Sequence, residues 1–186
     1  MTRVNTIHTS LLTNNQLLAE YREIPRIINK VSKGKLYSTI PPHFIMGRGH
    51  ESFFGDKLLY IHNRHRAILR ELECRKSRFP EVFKSDYIID TTANFKRCQV
   101  LFKELCNDWT PSIEDHSTSL DRLIERQFLQ TKVDKYNNKK IDKSRIMEDW
   151  LKYVMKFYKN QTLNFHVQLS FTKWYEYSYP QIQFKQ

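Results

Sequence analysis

A potential free amine, a carboxylate and several guanidinium groups fall close together at the start of this chain. It opens Met1-Thr2-Arg3 and runs on to Ala19-Glu20-Tyr21-Arg22-Glu23-Ile24-Pro25-Arg26. A Met followed by a residue as small as Thr2 is the usual setting for removal of the initiator Met, which leaves the Thr2 α-amine as a nucleophile. An α-amine has an ordinary pKa of about 7.7–8.0, so a useful fraction is neutral near physiological pH. Cations such as Arg3, Arg22 and Arg26 lower that value by destabilising the ammonium. Glu23 can then support the cation formed when the amine attacks an electrophilic sugar carbon. Glu23 lies three residues before Arg26, and Arg22 four before it, so one side of a helix can carry them all. Guanidinium forks are suited to phosphate oxygens. The set fits imine chemistry on a nucleic-acid sugar. The same residues also allow a plainer reading, a Glu23–Arg26 surface ion pair behind an unprocessed N-terminus.

Charge points the same way. The 186 residues carry 31 Lys and Arg against 20 Asp and Glu, a formal net charge of +11. Residues 1–35 and 62–78 concentrate that excess, which is the footprint of a polyanion, nucleic acid first and an anionic membrane second. If about five phosphates are neutralised, log K should fall against log salt with a slope of roughly −4.5. No run approaches the roughly 18 apolar residues of a membrane span, and the N-terminus lacks the apolar block of a signal peptide. The expectation is a cytoplasmic, DNA-associated protein. The three cysteines, Cys74, Cys98 and Cys106, lack C-x-x-C spacing and read as buried or half-buried reduced thiols. His62 and His65 sit among arginines and read as a solvated helix face rather than metal ligands. Neither a metal nor a cofactor is expected.

The elements that must position these groups are helices. With only four glycines and six prolines, a turn-rich β-sandwich is disfavoured. Leu17, Leu18, Tyr21, Ile24, Ile28 and Val31 repeat at helical spacing over 14–32, capped by Asn14 or Asn15 and kinked at Pro25. Gly47 and Gly49 suit a tight turn whose N–H groups lead into a second helix over about 51–76, a place that can hold a phosphate. Phe54, Leu58, Ile61, His65, Ile68, Leu69 and Leu72 form its buried side. Arg64, Arg66, Arg70, Arg75, Lys76 and Arg78 are then left for solvent or DNA. Further helices are expected over 92–107, 117–136 and 140–158. Leu163 to Phe171 alternate as a strand, with the tail as its mate. The aromatics Trp174, Tyr175 and Tyr177 could stack on distorted DNA or simply pack the termini onto the core.

These residues resemble the phage-type endonuclease V family, the pyrimidine dimer DNA glycosylase/abasic-site lyases. Thr2-Arg3, the run from Ala19 to Arg26, Phe44-Ile45-Met46-Gly47, Gly49-His50, Phe53-Phe54, Asp56-Lys57-Leu58 and Asp86-Tyr87-Ile88 carry the resemblance. It is dense over residues 1–89 and patchy afterwards, with a similar aromatic tail at Trp174-Tyr175-Glu176-Tyr177. The resemblance implies an all-α, compact single domain over 1–186. A mostly helical insertion falls at about 110–170, with a small β-hairpin near the C-terminus. It implies that the Thr2 α-amine attacks C1′ of a dimer nucleotide and forms an imine. Glu23 stabilises the cation and assists β-elimination. Arg3 lies beside the nucleophile, and Arg22 and Arg26 hold phosphates and the dimer. Asn15, Gln16 and Arg48 are further DNA-binding candidates. The family often has Gln and His where Asn15 and Gln16 stand, a small-apolar pair where Glu51-Ser52 stand, and no counterpart of Arg48. Damaged double-stranded DNA is the implied partner of a monomer that needs no metal, in a viral or bacterial setting, or in the nucleus of a eukaryotic host. Two other readings compete: an abasic-site lyase without dimer recognition, and a non-catalytic basic DNA-binding protein. The basic insertion could lengthen the DNA footprint or only cover the core.

Overall fold

Thr13 starts the first helix, not Asn14 or Asn15. Its hydroxyl accepts from the Gln16 N–H at 3.3 Å while the Gln16 side-chain oxygen accepts from the Thr13 N–H at 2.9 Å. Each side chain satisfies an amide that has no helical partner, a reciprocal cap. The computed structural model of the chain describes residues 4–129, 135–136, 139–140, 148–150 and 152–153. Helix α1 spans Asn14–Glu23 and α2 spans Pro25–Ser32. The bend expected at Pro25 is present, but Pro25 opens α2 instead of lying inside one long helix. At that first position its missing N–H costs no helical bond.

The chain then turns through Gly47 and Gly49, both in the left-handed region at φ 93° and 94°. The expected helix over 51–76 is split. A four-residue α3, His50–Phe53, and a 3-10 turn at Phe54–Asp56 precede α4, Leu58–Arg78. So short a helix has little dipole, and the expected phosphate site at its start loses its main attraction. Helix α5 is Thr92–Leu101, shorter than expected because the chain leaves it at Phe102 (φ −144°) and makes a 3-10 turn at Lys103–Leu105. Leu101 is consequently exposed instead of buried. Helix α6 runs Ile113–Leu129, starting and ending earlier than expected.

Strands β1 (Lys135–Tyr136) and β2 (Lys139–Lys140) pair antiparallel, Lys135 opposite Lys140. This small hairpin falls where helix was expected; the strand expected at 163–171 and the tail lie outside the described residues. Residues 148–150 and 152–153 are helical, as expected. The described part is mostly helical, in keeping with an all-α fold. Helices α1, α2, α4 and α5 pack on one another around Leu17, Ile24, Ile28, Leu58, Ile61, Ile68, Leu72, Phe95 and Cys98. Trp150 is also fully buried.

Of the cysteines, burial raises the Cys98 thiol to about 11 and pushes Cys106 up as well. Cys74 is exposed, against the expectation that all three were covered. His62 is likewise not solvated. It is buried, stacks on Phe95 at 4.4 Å, and its Nδ1 is hydrogen-bonded to Thr91 Oγ1.

Candidate active site

Residues 4–12, irregular apart from a 3-10 turn at Thr9–Leu11, are held by buried polar side chains. The Val4 N–H donates to His50 Nε2 at 3.0 Å. The Asn5 backbone N–H donates to Glu20 Oε1 at 2.8 Å, and its side-chain amide donates to the same oxygen. Arg64 spans Glu20 and the segment, its Nε 3.0 Å from Glu20 Oε2 and its Nη1 donating to the Ile7 carbonyl at 2.7 Å. Arg75, only 1% exposed, donates to Glu71, to Asn14 Oδ1 and to the carbonyls of Thr9, Ser10 and Leu12. Backbone groups buried without partners cost heavily, so these side chains do the work a sheet would otherwise do.

Two sequence expectations are corrected here. Arg64 and Arg75 were left for solvent or DNA, yet both are buried in the interior. Burial penalises the Arg64 charge, but Glu20, Tyr60 and the Glu20 hydrogen bond outweigh that penalty and raise its pKa. A buried cation survives only with such a partner.

The segment also receives support from beyond α5. The Ser119 hydroxyl accepts from the Thr6 N–H, His116 Nδ1 is hydrogen-bonded to Thr6 Oγ1, and the Trp150 N–H donates to the Leu11 carbonyl at 2.7 Å. Of the two uses weighed for the insertion, this part of it covers the N-terminal segment.

Glu23 sits at the end of α1, one turn beyond Glu20 and therefore about 4.5 Å further along the helix axis. Its carboxylate differs sharply from that of Glu20. Oxygen Oε2 of Glu23 is buried and has no hydrogen-bond partner among the described residues. Among the described residues neither Glu23 nor Arg26 enters an ion pair, which removes the plainer reading of the pair. An orphaned carboxylate oxygen is costly, and such a cost marks a group kept for something other than stability.

Arg22, Arg26 and Arg48 are all exposed, the last on the glycine turn. Asn15 is exposed at the start of α1, while Gln16 has its side-chain oxygen committed to Thr13. Beside Arg22 opens a cleft of about 510 Å³, formed by α1 with the loop 82–89 and lined by Leu18, Tyr21, Tyr87 and Ile88 among others. Tyr21 stacks on His65 at 5.7 Å, meets Tyr87 edge-on, and accepts at its hydroxyl from the Ile89 N–H. Thr2, Arg3, Trp174, Tyr175 and Tyr177 lie outside the described residues. Among the described residues, His, Cys, Asp and Glu form no group of three or more placed to hold a metal ion, and no helix is long and apolar enough to cross a membrane.

Sequence reasoning missed Glu20, His50, Arg64 and Arg75 as parts of the site's frame. A signal was present for three of them. Glu20, Arg64 and Arg75 fall on the apolar stripes themselves, three residues after Leu17, Ile61 and Leu72 respectively.

A helical scaffold here sets exposed arginines beside a carboxylate oxygen that has no hydrogen-bond partner among the described residues. Residues 1–85 match the family model of the pyrimidine dimer DNA glycosylases. The span contains the N-terminal segment, α1 to α4, Glu23 and the clamp residues Glu20, His50, Arg64 and Arg75.

Proposed function

We propose that this chain removes dimerised pyrimidines from double-stranded DNA, as a monomer, and then nicks the strand through an imine on the Thr2 α-amine. The carrying observation is the Glu23 carboxylate, with a buried oxygen that has no hydrogen-bond partner among the described residues. In the first step the neutral amine attacks C1′; the glycosidic C–N bond breaks and the base leaves with the electron pair. Transfer of an amine proton to O4′ as the C1′–O4′ bond breaks opens the sugar ring and gives the protonated imine. Removal of a C2′ proton then expels the 3′ phosphate by cleavage of C3′–O, and water finally releases the amine. Glu23 stabilises the cationic sugar and imine and assists the β-elimination. Arg22 and Arg26, exposed one turn apart, bind the phosphates and favour the neutral amine. Opening the duplex costs a few kcal/mol, least at a lesion that has already weakened stacking.

Borohydride trapping on dimer-containing duplex tests this, using protein with a verified Thr2 terminus. A covalent protein–DNA adduct is expected, and its absence ends the reading. Trapping on abasic duplex alone would select the lyase without dimer recognition. Glu23→Gln should lower the nicking rate by roughly 10²–10³ with DNA affinity retained. Unchanged nicking by that variant removes Glu23 from the chemistry.

A further inference from the structure

The reactive nitrogen is only as well placed as the chain that carries it. Covalent geometry keeps the Thr2 nitrogen within about 7 Å of the Val4 nitrogen, so whatever fixes the Val4 amide limits where the amine can be. That amide is held by one side chain, His50, which donates from Nδ1 to the Ile45 carbonyl at 2.7 Å and accepts from the Val4 N–H at Nε2. An imidazole nitrogen that accepts from an amide carries no proton, so the proton resides on Nδ1. The ring is 2% exposed and wedged edge-on against Phe44 and Phe54, at 5.3 and 5.4 Å. Its backbone is equally fixed. Gly49 immediately before it has φ 94°, and a side chain there would meet Ile45 Cδ1 at 2.8 Å.

The local fold therefore has a purpose beyond turning the chain. The left-handed glycines and the four-residue α3 aim one ring nitrogen at the fourth residue of the polypeptide. We propose that His50 is a positioning residue for the N-terminal amine, limiting where that amine can reach by tethering the Val4 amide. Glu20 assists by holding Asn5 one turn before Glu23 on the same helix. The inference rests on the imine reading above and adds to it the residue that aims the nucleophile.

Two substitutions separate the halves of the imidazole. In His50→Asn the amide nitrogen stands near Nδ1 and keeps the Ile45 bond, but nothing accepts from Val4. In His50→Gln the side-chain oxygen reaches the Nε2 position and restores the acceptor. Both are compared with wild type on duplex carrying a pre-formed abasic site, by kcat, KM, trapping rate and melting temperature. H50N should lose roughly ten- to a hundredfold in kcat and trapping rate, the scale of a misplaced reacting group, with KM within about twofold. H50Q should recover most of that loss. An adduct formed equally fast by wild type and H50N overturns the positioning role alone, as do losses that merely track melting temperature in both variants. No adduct from wild type overturns the imine reading and the positioning role together.

Discussion

The arginines of this chain occupy two opposite environments, and the contrast separates frame from face. Arg64 and Arg75 lie on the buried side of α4, with carboxylates and backbone carbonyls around each guanidinium. Arg22 and Arg26 stand exposed on α1 and α2 beside a carboxylate that they do not pair with. The first pair spends its charge and hydrogen bonds on ordering the N-terminal segment. The second pair leaves them facing solvent, where we propose that DNA binds. Net charge therefore overstates the surface available to DNA, because part of the basic stretch 62–78 faces inward.

The largest effects that test this contrast come from the interior. Arg64→Ala or Arg75→Ala should each cost about 3–5 kcal/mol, since each strands buried partners without a counter-charge. Denaturant midpoints check this, and a loss below the level of an ordinary surface change would place these arginines outside. Next in size is a pH effect from the buried imidazoles. Burial lowers the pKa of His62, His65 and His116 below the ordinary 6.5. The unfolded chain then binds protons that the fold refuses, so stability is full above about pH 6.5 and falls as pH drops below it. A melting temperature flat from pH 7 to 5 would contradict this. His65→Leu should flatten the fall in part, because neither of its ring nitrogens has a hydrogen-bond partner.

The exposed pair should behave in the reverse manner. Arg22→Ala and Arg26→Ala should change stability by less than about 0.5 kcal/mol. Each should reduce the slope of log K against log salt by about 0.9 if it holds one phosphate. Titrations of duplex DNA at several salt concentrations measure that slope. An unchanged slope with weakened binding would assign these arginines to the base or lesion rather than the backbone.

Much of this arrangement was legible beforehand. The apolar spacing located α1, α2 and α4, Pro25 marked the bend, and Gly47 and Gly49 marked the turn. What escaped was the inward use of charge. An arginine in a basic run reads as solvated, because burying it is prohibitive without partners, and here, apart from Glu71 beside Arg75, the partners come from distant residues such as those 44 to 66 positions away. The sequence positions of Arg64 and Arg75 on the apolar stripe held the clue. The cap was misread for a related reason: Asn14 and Asn15 are good caps individually, but the Thr13–Gln16 pair satisfies two amides at once. The end of α5 at Phe102 follows no local signal that we can identify.

The ties from Ser119, His116 and Trp150 to residues 6 and 11 carry a practical consequence for anyone wishing to transplant the family-matched half. Cutting the polypeptide behind the matched 85 residues would strip the Thr6 amide and the Leu11 carbonyl of their donors and acceptors. The recognisable portion is thus no portable cassette: in this protein the later helices have become a keystone for its opening segment.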